Sequence, residues 1–155
     1  PFLTMLFFGI MFLGGSSGST SGGVKVLRHL ILIKNGLLEF KRSLHPNAIF
    51  PLRHNNHVVE KPIIIHVLAF FILYLILFII GAGVLSLLGL DFVSAIGGAA
   101  SSLGNVGPAL GTLGPISNFD SLPEIGKYWC SFLMLVGRLE LFTVLIFFTP
   151  YFWKS

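Results

Sequence analysis

Hydrophobic and polar positions along the chain fall into four blocks. Residues 2–13 are apolar apart from one Thr and one Gly, and the run stops at Gly14-Gly15. Residues 14–23 read GGSSGSTSGG, residues 24–61 are polar and basic, and residues 62–155 are again apolar around a glycine-rich centre. In the last block, residues 63–90 carry no charge. As a helix they would measure about 42 Å, enough to cross about 30 Å of hydrocarbon with tilt. Pro62 stands where a helix tolerates proline, in its first turn. Asp91 is placed to cap a short helix over 92–102, whose AIGGAASS stretch suits close packing but which is too short to span a bilayer. Residues 126–153 then form a second long apolar segment, with Pro150 near its end. The pattern predicts a long helix, a half-helix, a glycine-rich turn and a long helix. Irregular backbone at membrane depth is tolerated only where protein buries it or where it lines water, so the turn is the first candidate for function.

Composition narrows the class. Of 155 residues, 54% are hydrophobic and 10% charged, with sixteen Phe and eighteen Gly. A soluble domain is about one quarter charged. A freely soluble enzyme is thereby excluded, and no nucleophile–base or paired-carboxylate constellation is visible. Seven of the ten Lys and Arg lie in 24–61, which the positive-inside rule places in the cytoplasm. Lys154 belongs on the same side, since two helices return the chain there, and residues 91–124 between them hold no Lys or Arg. The chain starts at Pro1 with an apolar run already under way, and is expected to be the C-terminal piece of a longer polypeptide. A secretory leader would need a basic n-region, which is missing. Cys130 is alone, so it predicts a small packed side chain rather than a disulfide or thiolate metal site. His29, His45, His54, His57 and His66 share no metal-ligand spacing and read as solvated loop residues plus one helix-end residue, His66. Phe70, Phe71, Phe147 and Phe148 read as packing or lipid-facing residues, and Trp129 and Trp153 as interface-belt residues.

Residues 103–114 read LGNVGPALGTLG. A potassium filter needs successive carbonyls aimed at one axis, small residues that accept unusual dihedrals, and a short helix whose partly negative end faces the cation. Residues 91–102 followed by Gly104-Asn105-Val106-Gly107 supply these parts. A plain extracytoplasmic hairpin with turn glycines is the competing reading. No Gly-x-x-x-x-Gly-Lys-Ser/Thr phosphate loop is present here or at 14–25. Arg138, near the middle of 126–153, is costly in a bilayer by at least about 2.5–3.5 kcal/mol, and such charges usually face a cavity. Glu140 is two residues on, so the two side chains leave different faces of a helix. A flexible linker over 14–23 inside the bilayer would leave backbone groups unpaired, so that stretch must face protein or water.

The helix–loop–helix unit with Asn105-Val106-Gly107-Pro108 resembles the last repeat of the Trk/Ktr/HKT superfamily of potassium transporters, and within it the bacterial Trk-type potassium-uptake membrane subunit. The resemblance covers Phe2 through Lys154. It implies an all-α polytopic membrane protein of helix–pore loop–helix repeats, four of which surround one pore. Residues 1–28 would be the broken inner helix of the third repeat, residues 29–61 a cytoplasmic basic hairpin, and residues 62–155 the fourth repeat, with outer helix 63–90, pore helix 91–102, filter 103–108 and inner helix 126–153. Gly107 would be the family's filter glycine, Gly104 a further filter residue, and the carbonyls of Asn105 and Val106 the ion ligands. Because the strand departs from Thr-Val-Gly-Tyr-Gly, the filter is expected to be looser than that of a potassium channel. The stretch Gly14, Gly15, Ser16, Ser17, Gly18, Ser19, Thr20, Ser21, Gly22, Gly23, with Lys25, resembles the family's intramembrane gate. Residues 44–53 resemble the cytoplasmic hairpin. Gly137-Arg138-Leu139-Glu140-Leu141-Phe142-Thr143 resembles the inner helix whose arginine sits in the pore. The resemblance further implies potassium as substrate without a cofactor, contact with membrane lipid and with the chain's other repeats, a homodimer, a cytosolic nucleotide-binding regulatory subunit, no nucleic acid, and a multi-pass place in the bacterial inner membrane with 24–61 and the C-terminus cytoplasmic. Two alternatives stay open: a sodium- or proton-coupled carrier of the same superfamily, and a non-transporting helical anchor subunit.

Overall fold

The computed structural model describes residues 2–15, 22–45, 48, 50–54, 57–115, 119–139, 141–147 and 150–153. Ser16, Ser17, Gly18, Ser19, Thr20, Ser21, Glu140, Phe148 and Lys154, singled out above, lie outside the described residues. The elements in chain order are α1 (Phe2–Met11), α2 (Val26–Leu44), a two-residue hairpin of β1 (Arg53–His54) and β2 (His57–Val58), α3 (Lys61–Leu87), α4 (Phe92–Gly104), α5 (Glu124–Arg138), α6 (Leu141–Phe147) and α7 (Pro150–Trp153). The fold is that of a helical membrane protein. The antiparallel hairpin, with Arg53 opposite Val58 and His54 opposite His57, is a minor ornament on it.

Helix α3 is the scaffold. Its 27 residues are long and apolar enough to cross a membrane, with Pro62 in the first turn. Val67, Phe70, Tyr74, Gly81 and Leu85 form one buried stripe at spacings of three, four and seven. The opposite face is as apolar as the buried one: Ile65, Ile72, Leu75, Ile76, Ile79 and Ile80 are exposed within this chain. A helix hydrophobic all round belongs in lipid or against further membrane helices, not in water.

Helix α4 is buried on nearly every side, from Ser94 through Gly104, although it holds few large residues. Small residues let its neighbours come close, as at membrane helix contacts generally. A Cβ built on Gly97 would sit 2.7 Å from the backbone nitrogen of Leu110, and one on Gly98 would sit 3.0 Å from the Leu113 side chain. Leu85, Ala95, Ala99, Ala109, Leu113, Leu122 and Cys130 close one core around α4. Phe70, Tyr74, Leu103, Leu133, Val136 and Leu141 close a second, with Val24 from the small-residue segment. Cys130 is a buried packing residue. Trp129 stacks on Phe132 and points its indole N–H at the Gly81 carbonyl, 3.3 Å away, so its polar end is satisfied within the fold.

Three expected boundaries are corrected. The basic region is not a loop hairpin from residue 29 onward: α2 runs from Val26 to Leu44 across the expected division at 28/29. It buries Ile31 with Leu52 and Val67 and leaves Lys34, Glu39 and Lys41 exposed, so it behaves as an amphipathic helix. Helix position also gives its cations work on the protein. The Arg28 guanidinium carbon lies 3.8 Å from the centre of the Phe70 ring. Arg42 donates to Glu39 Oε2 at 2.9 Å and to the Phe50 carbonyl at 3.0 Å, pinning the loop that follows. His29, expected in a loop, lies on α2 with its ring edge-on to Phe71.

The pore helix expected over 91–102 runs two residues further, to Gly104. Over 126–153, where an inner helix is expected, the described elements are α5, α6 and α7, with residues 140 and 148–149 outside the described residues. At the end of α5, capped at Leu139, the Gly137 carbonyl accepts a tertiary bond from the Gly23 N–H at 3.3 Å.

Asp91 caps α4 through the Ser94 N–H, 3.3 Å from Oδ2. Hydrogen bonding from the Ser94 side chain, and after it from backbone amides, holds its carboxyl below the ordinary value. A depressed carboxyl stabilises the fold above its unfolded-state value and loses that contribution as pH falls through the folded value. Asp91→Asn should therefore keep the Ser94 amide protected against hydrogen exchange at neutral pH and remove the acid-side loss of protection seen in the wild type. An identical acid profile in the two proteins would contradict the assignment.

Candidate functional site

Four segments meet at the C-terminal end of α4. Asn105 caps the helix in the left-handed region, at φ 53° and ψ 41°, with its N–H returning to the Ser101 and Ser102 carbonyls. Asn is among the few side-chain-bearing residues that tolerate this conformation, and it turns the chain out of the helix in one step. Val106 N–H bonds the Ser101 carbonyl at 3.0 Å. Gly107 follows at φ 106°, which only glycine adopts without strain, and its carbonyl accepts from the Ser101 hydroxyl at 2.9 Å. Val106 is 40% exposed, and a Cβ built on Gly107 would meet nothing within 4 Å. The turn thus opens on one side while α4 holds it on the other, with the partly negative helix end beneath it.

The loop beyond is fastened back onto the start of α4. Thr112 donates to Ser94 Oγ from both its N–H and its hydroxyl, each at 2.8 Å, and Ala109 N–H bonds the Leu113 carbonyl at 3.2 Å. A single serine therefore anchors residues eighteen positions away in sequence.

From the other direction come the two described arms of the small-residue segment. Gly14 N–H bonds the Val24 carbonyl at 3.0 Å and Val26 N–H bonds the Gly15 carbonyl at 3.2 Å, which closes the segment into a loop between α1 and α2. Lys25 sits at the N-cap of α2 and offers its carbonyl to Arg28 N–H at 2.9 Å. Gly22 lies against the Asn105 side chain, where an added Cβ would stand 2.5 Å from Nδ2, and Gly23, at φ 79°, lies against Gly104. From α5, the Met134 carbonyl accepts from Asn105 Nδ2 at 3.0 Å, and a Cβ on Gly137 would overlap the Leu103 carbonyl oxygen.

The structure therefore brings together Gly104, Asn105, Gly22 and Gly23 with the Gly137 turn of α5, and sets Val106 and Gly107 just outward of them. Gly104 and Leu103 are corrected as loop residues: both belong to the last turn of α4, where the Leu103 carbonyl faces Gly137 and Gly104 faces the Met11 carbonyl. Arg138 is the last residue of α5, exposed within this chain and adjacent to the Gly137 contact. Sequence reasoning missed Ser94, Ser101, Thr112, Met134 and Gly137. For the serines the available signal was their recurrence inside an otherwise apolar short helix, where hydroxyls need a partner.

A long apolar helix beside a buried half-helix that ends in an open glycine turn defines a helical membrane protein. The family comparison agrees. Residues 1–155 match the family described as TrkH, cation transport protein, and the chain belongs to that family. It is 40% identical over 155 residues to the Trk system potassium uptake protein TrkH of Escherichia coli K12, covering 99% of this chain and 32% of that protein. It is 43% identical over 151 residues to the Trk system potassium uptake protein TrkI of Halomonas elongata, covering 96% of this chain and 30% of that one. The crystal structure of the potassium transporter TrkH from Vibrio parahaemolyticus superposes with a TM-score of 0.89 at 37% identity, over 98% of this chain and 32% of that chain. The chain thus spans about a third of the length of these relatives.

The packing makes Gly137 intolerant of any side chain. In the full-length protein, Gly137→Ala should lower the thermal unfolding midpoint markedly, because the added methyl meets backbone and not a flexible side-chain end. Gly83→Ala, at a helical site with nothing within 4 Å, should be neutral or stabilising by about 0.5–1 kcal/mol. Equal midpoints for the two variants would contradict the close contact.

Proposed function

We propose that this chain is the C-terminal part of a potassium-uptake protein of the inner membrane, and that Asn105, Val106 and Gly107 form one strand of its ion path. The observation that carries the reading is the open turn at 105–107, held by Ser101 and backed by the end of a half-helix buried among small residues. Its relatives are named as potassium uptake proteins, and family membership favours ion movement over a bare anchor. The carbonyls of Asn105 and Val106 would replace part of the hydration shell of the ion, as in carbonyl-lined filters generally. Gly104 contributes by closeness rather than by a loop carbonyl.

The segment from Gly14 to Gly23, with Lys25, serves in this reading as a gate. Support comes from its described arms, which close on themselves and lie directly beneath Asn105 and Gly104. Arg138 faces the same pore and repels cations until the segment moves. The basic helix α2 and the hairpin after it lie at the cytoplasmic surface, with the C-terminus on that side, where α2 meets anionic lipid or a cytosolic nucleotide-binding regulatory subunit. The apolar outer face of α3 packs on lipid and on the other repeats of the full-length chain, and two such proteins form a dimer.

In cells lacking other potassium uptake, full-length protein carrying Gly107→Ser should lose about tenfold or more in potassium over sodium uptake, since a serine at that φ is strained and re-aims the carbonyl. Arg138→Ala should change total flux while leaving that ratio nearer to wild type. Unchanged uptake in both variants at normal membrane levels would exclude the ion-path reading and favour an anchor.

A further inference from the structure

We infer that the side-chain amide of Asn105 is a positioning clamp that makes ion selection depend on where Gly22 lies. This rests on the reading of 105–107 as an ion path, but concerns a different part of Asn105 from the carbonyl invoked there.

Three contacts converge on that one amide. Nδ2 donates to the Met134 carbonyl at 3.0 Å, tying the turn to α5. Gly22 packs on it from the small-residue segment, and Gly137 packs on it from α5, where an added Cβ would stand 3.0 Å from Nδ2. The Gly23 N–H to Gly137 carbonyl bond, 3.3 Å long, then joins the two outer members to each other. The amide lies between two glycines because no side chain fits on either face. Met134 also sits inside α5, so its carbonyl has a helical partner and does not need Asn105 to be satisfied. The bond is therefore not explained by satisfying a buried carbonyl. Its consequence is to fix the orientation of residue 105.

Orientation matters because Asn105 is the left-handed residue from which Val106 and Gly107 depart. With Gly22 seated, the amide is held against Met134 and the turn keeps one shape. With Gly22 withdrawn, one wall of the slot is gone, the amide can leave Met134, and the peptide after Asn105 is free to rotate. Moving Gly22 thus changes the aim of the carbonyls that follow Asn105. Two states of one amide link the two regions physically, which is what coupling requires.

The test uses full-length protein in lipid nanodiscs and proteoliposomes, with Asn105→Gly and Gly22→Ala singly and together. Glycine at 105 keeps the left-handed backbone without strain and removes only the amide. Gly22→Ala leaves the amide and pushes against it, so it serves where the first variant is poorly folded. In each single variant, hydrogen exchange in the peptide containing Gly22–Val26 should quicken about tenfold, the scale of one lost buried hydrogen bond, while the amides of α4 before Ser101 keep their protection. The potassium-to-sodium permeability ratio should fall by a similar factor, and the double variant should show no more than the larger single effect. Wild-type exchange in the 22–26 peptide, a wild-type permeability ratio, or additive effects in the double variant would each overturn the clamp. If the wild-type protein moved no potassium, the potassium reading would fall, and the exchange measurement would still decide the clamp.

Discussion

The rest of this structure depends on how closely backbone can approach backbone at the end of α4. Gly22, Gly104 and Gly137 come from three stretches of chain, and at each a single methyl would press on a neighbouring backbone or on the Asn105 amide, while Gly23, at φ 79°, lies in van der Waals contact with Gly104. Inside a bilayer no hydrophobic force distinguishes lipid from leucine, so helices hold together by such close packing and by hydrogen bonds that have no competing water. The Gly23–Gly137 and Asn105–Met134 bonds are of this kind. They are available only because glycine lets the donors reach the acceptors.

This constraint explains why α4 is built of small residues yet buried from Ser94 onward. A half-helix entering from one side must be surrounded by protein, because its ends expose unpaired backbone groups. Asp91 satisfies the first turn, Asn105 turns the last one, and Ser94 and Ser101 fasten the following loop at both ends. The long α3 supplies the wall, with Gly81 admitting Leu133 and the Trp129 indole bonding the Gly81 carbonyl. The last turn of α5 is part of the same arrangement, since the Gly137 carbonyl there accepts from the Gly23 N–H of the small-residue segment.

What the sequence disclosed follows the range of the forces involved. The half-helix and its cap were legible because Asp91, the small-residue run and the glycine turn are neighbours, and local chemistry decides them. Helix α2 was hidden by its charge: seven basic residues in 24–61 read as a loop, although Leu27, Ile31 and Leu38 keep a helical spacing toward α3. The contact at the end of α5 was not legible, because its partner Gly23 lies over a hundred positions earlier. For the same reason the end of α4 was misplaced by two residues: Leu103 and Gly104 look like loop formers until Gly137 and Met11 are seen against them. The pairing of Asn105 with Met134 had no sequence signal, since any helix carbonyl would serve as acceptor.

The central claim is that the turn at 105–107 lines an ion path fixed from below by Asn105. It is tested most directly by determining the structure of the full-length protein with rubidium in place of potassium and locating the ion by its anomalous scattering. The account predicts a peak within direct coordination distance of the Asn105 and Val106 carbonyls, with the Asn105 amide on Met134. Rubidium bound elsewhere in the protein, with no peak at this turn, would contradict it.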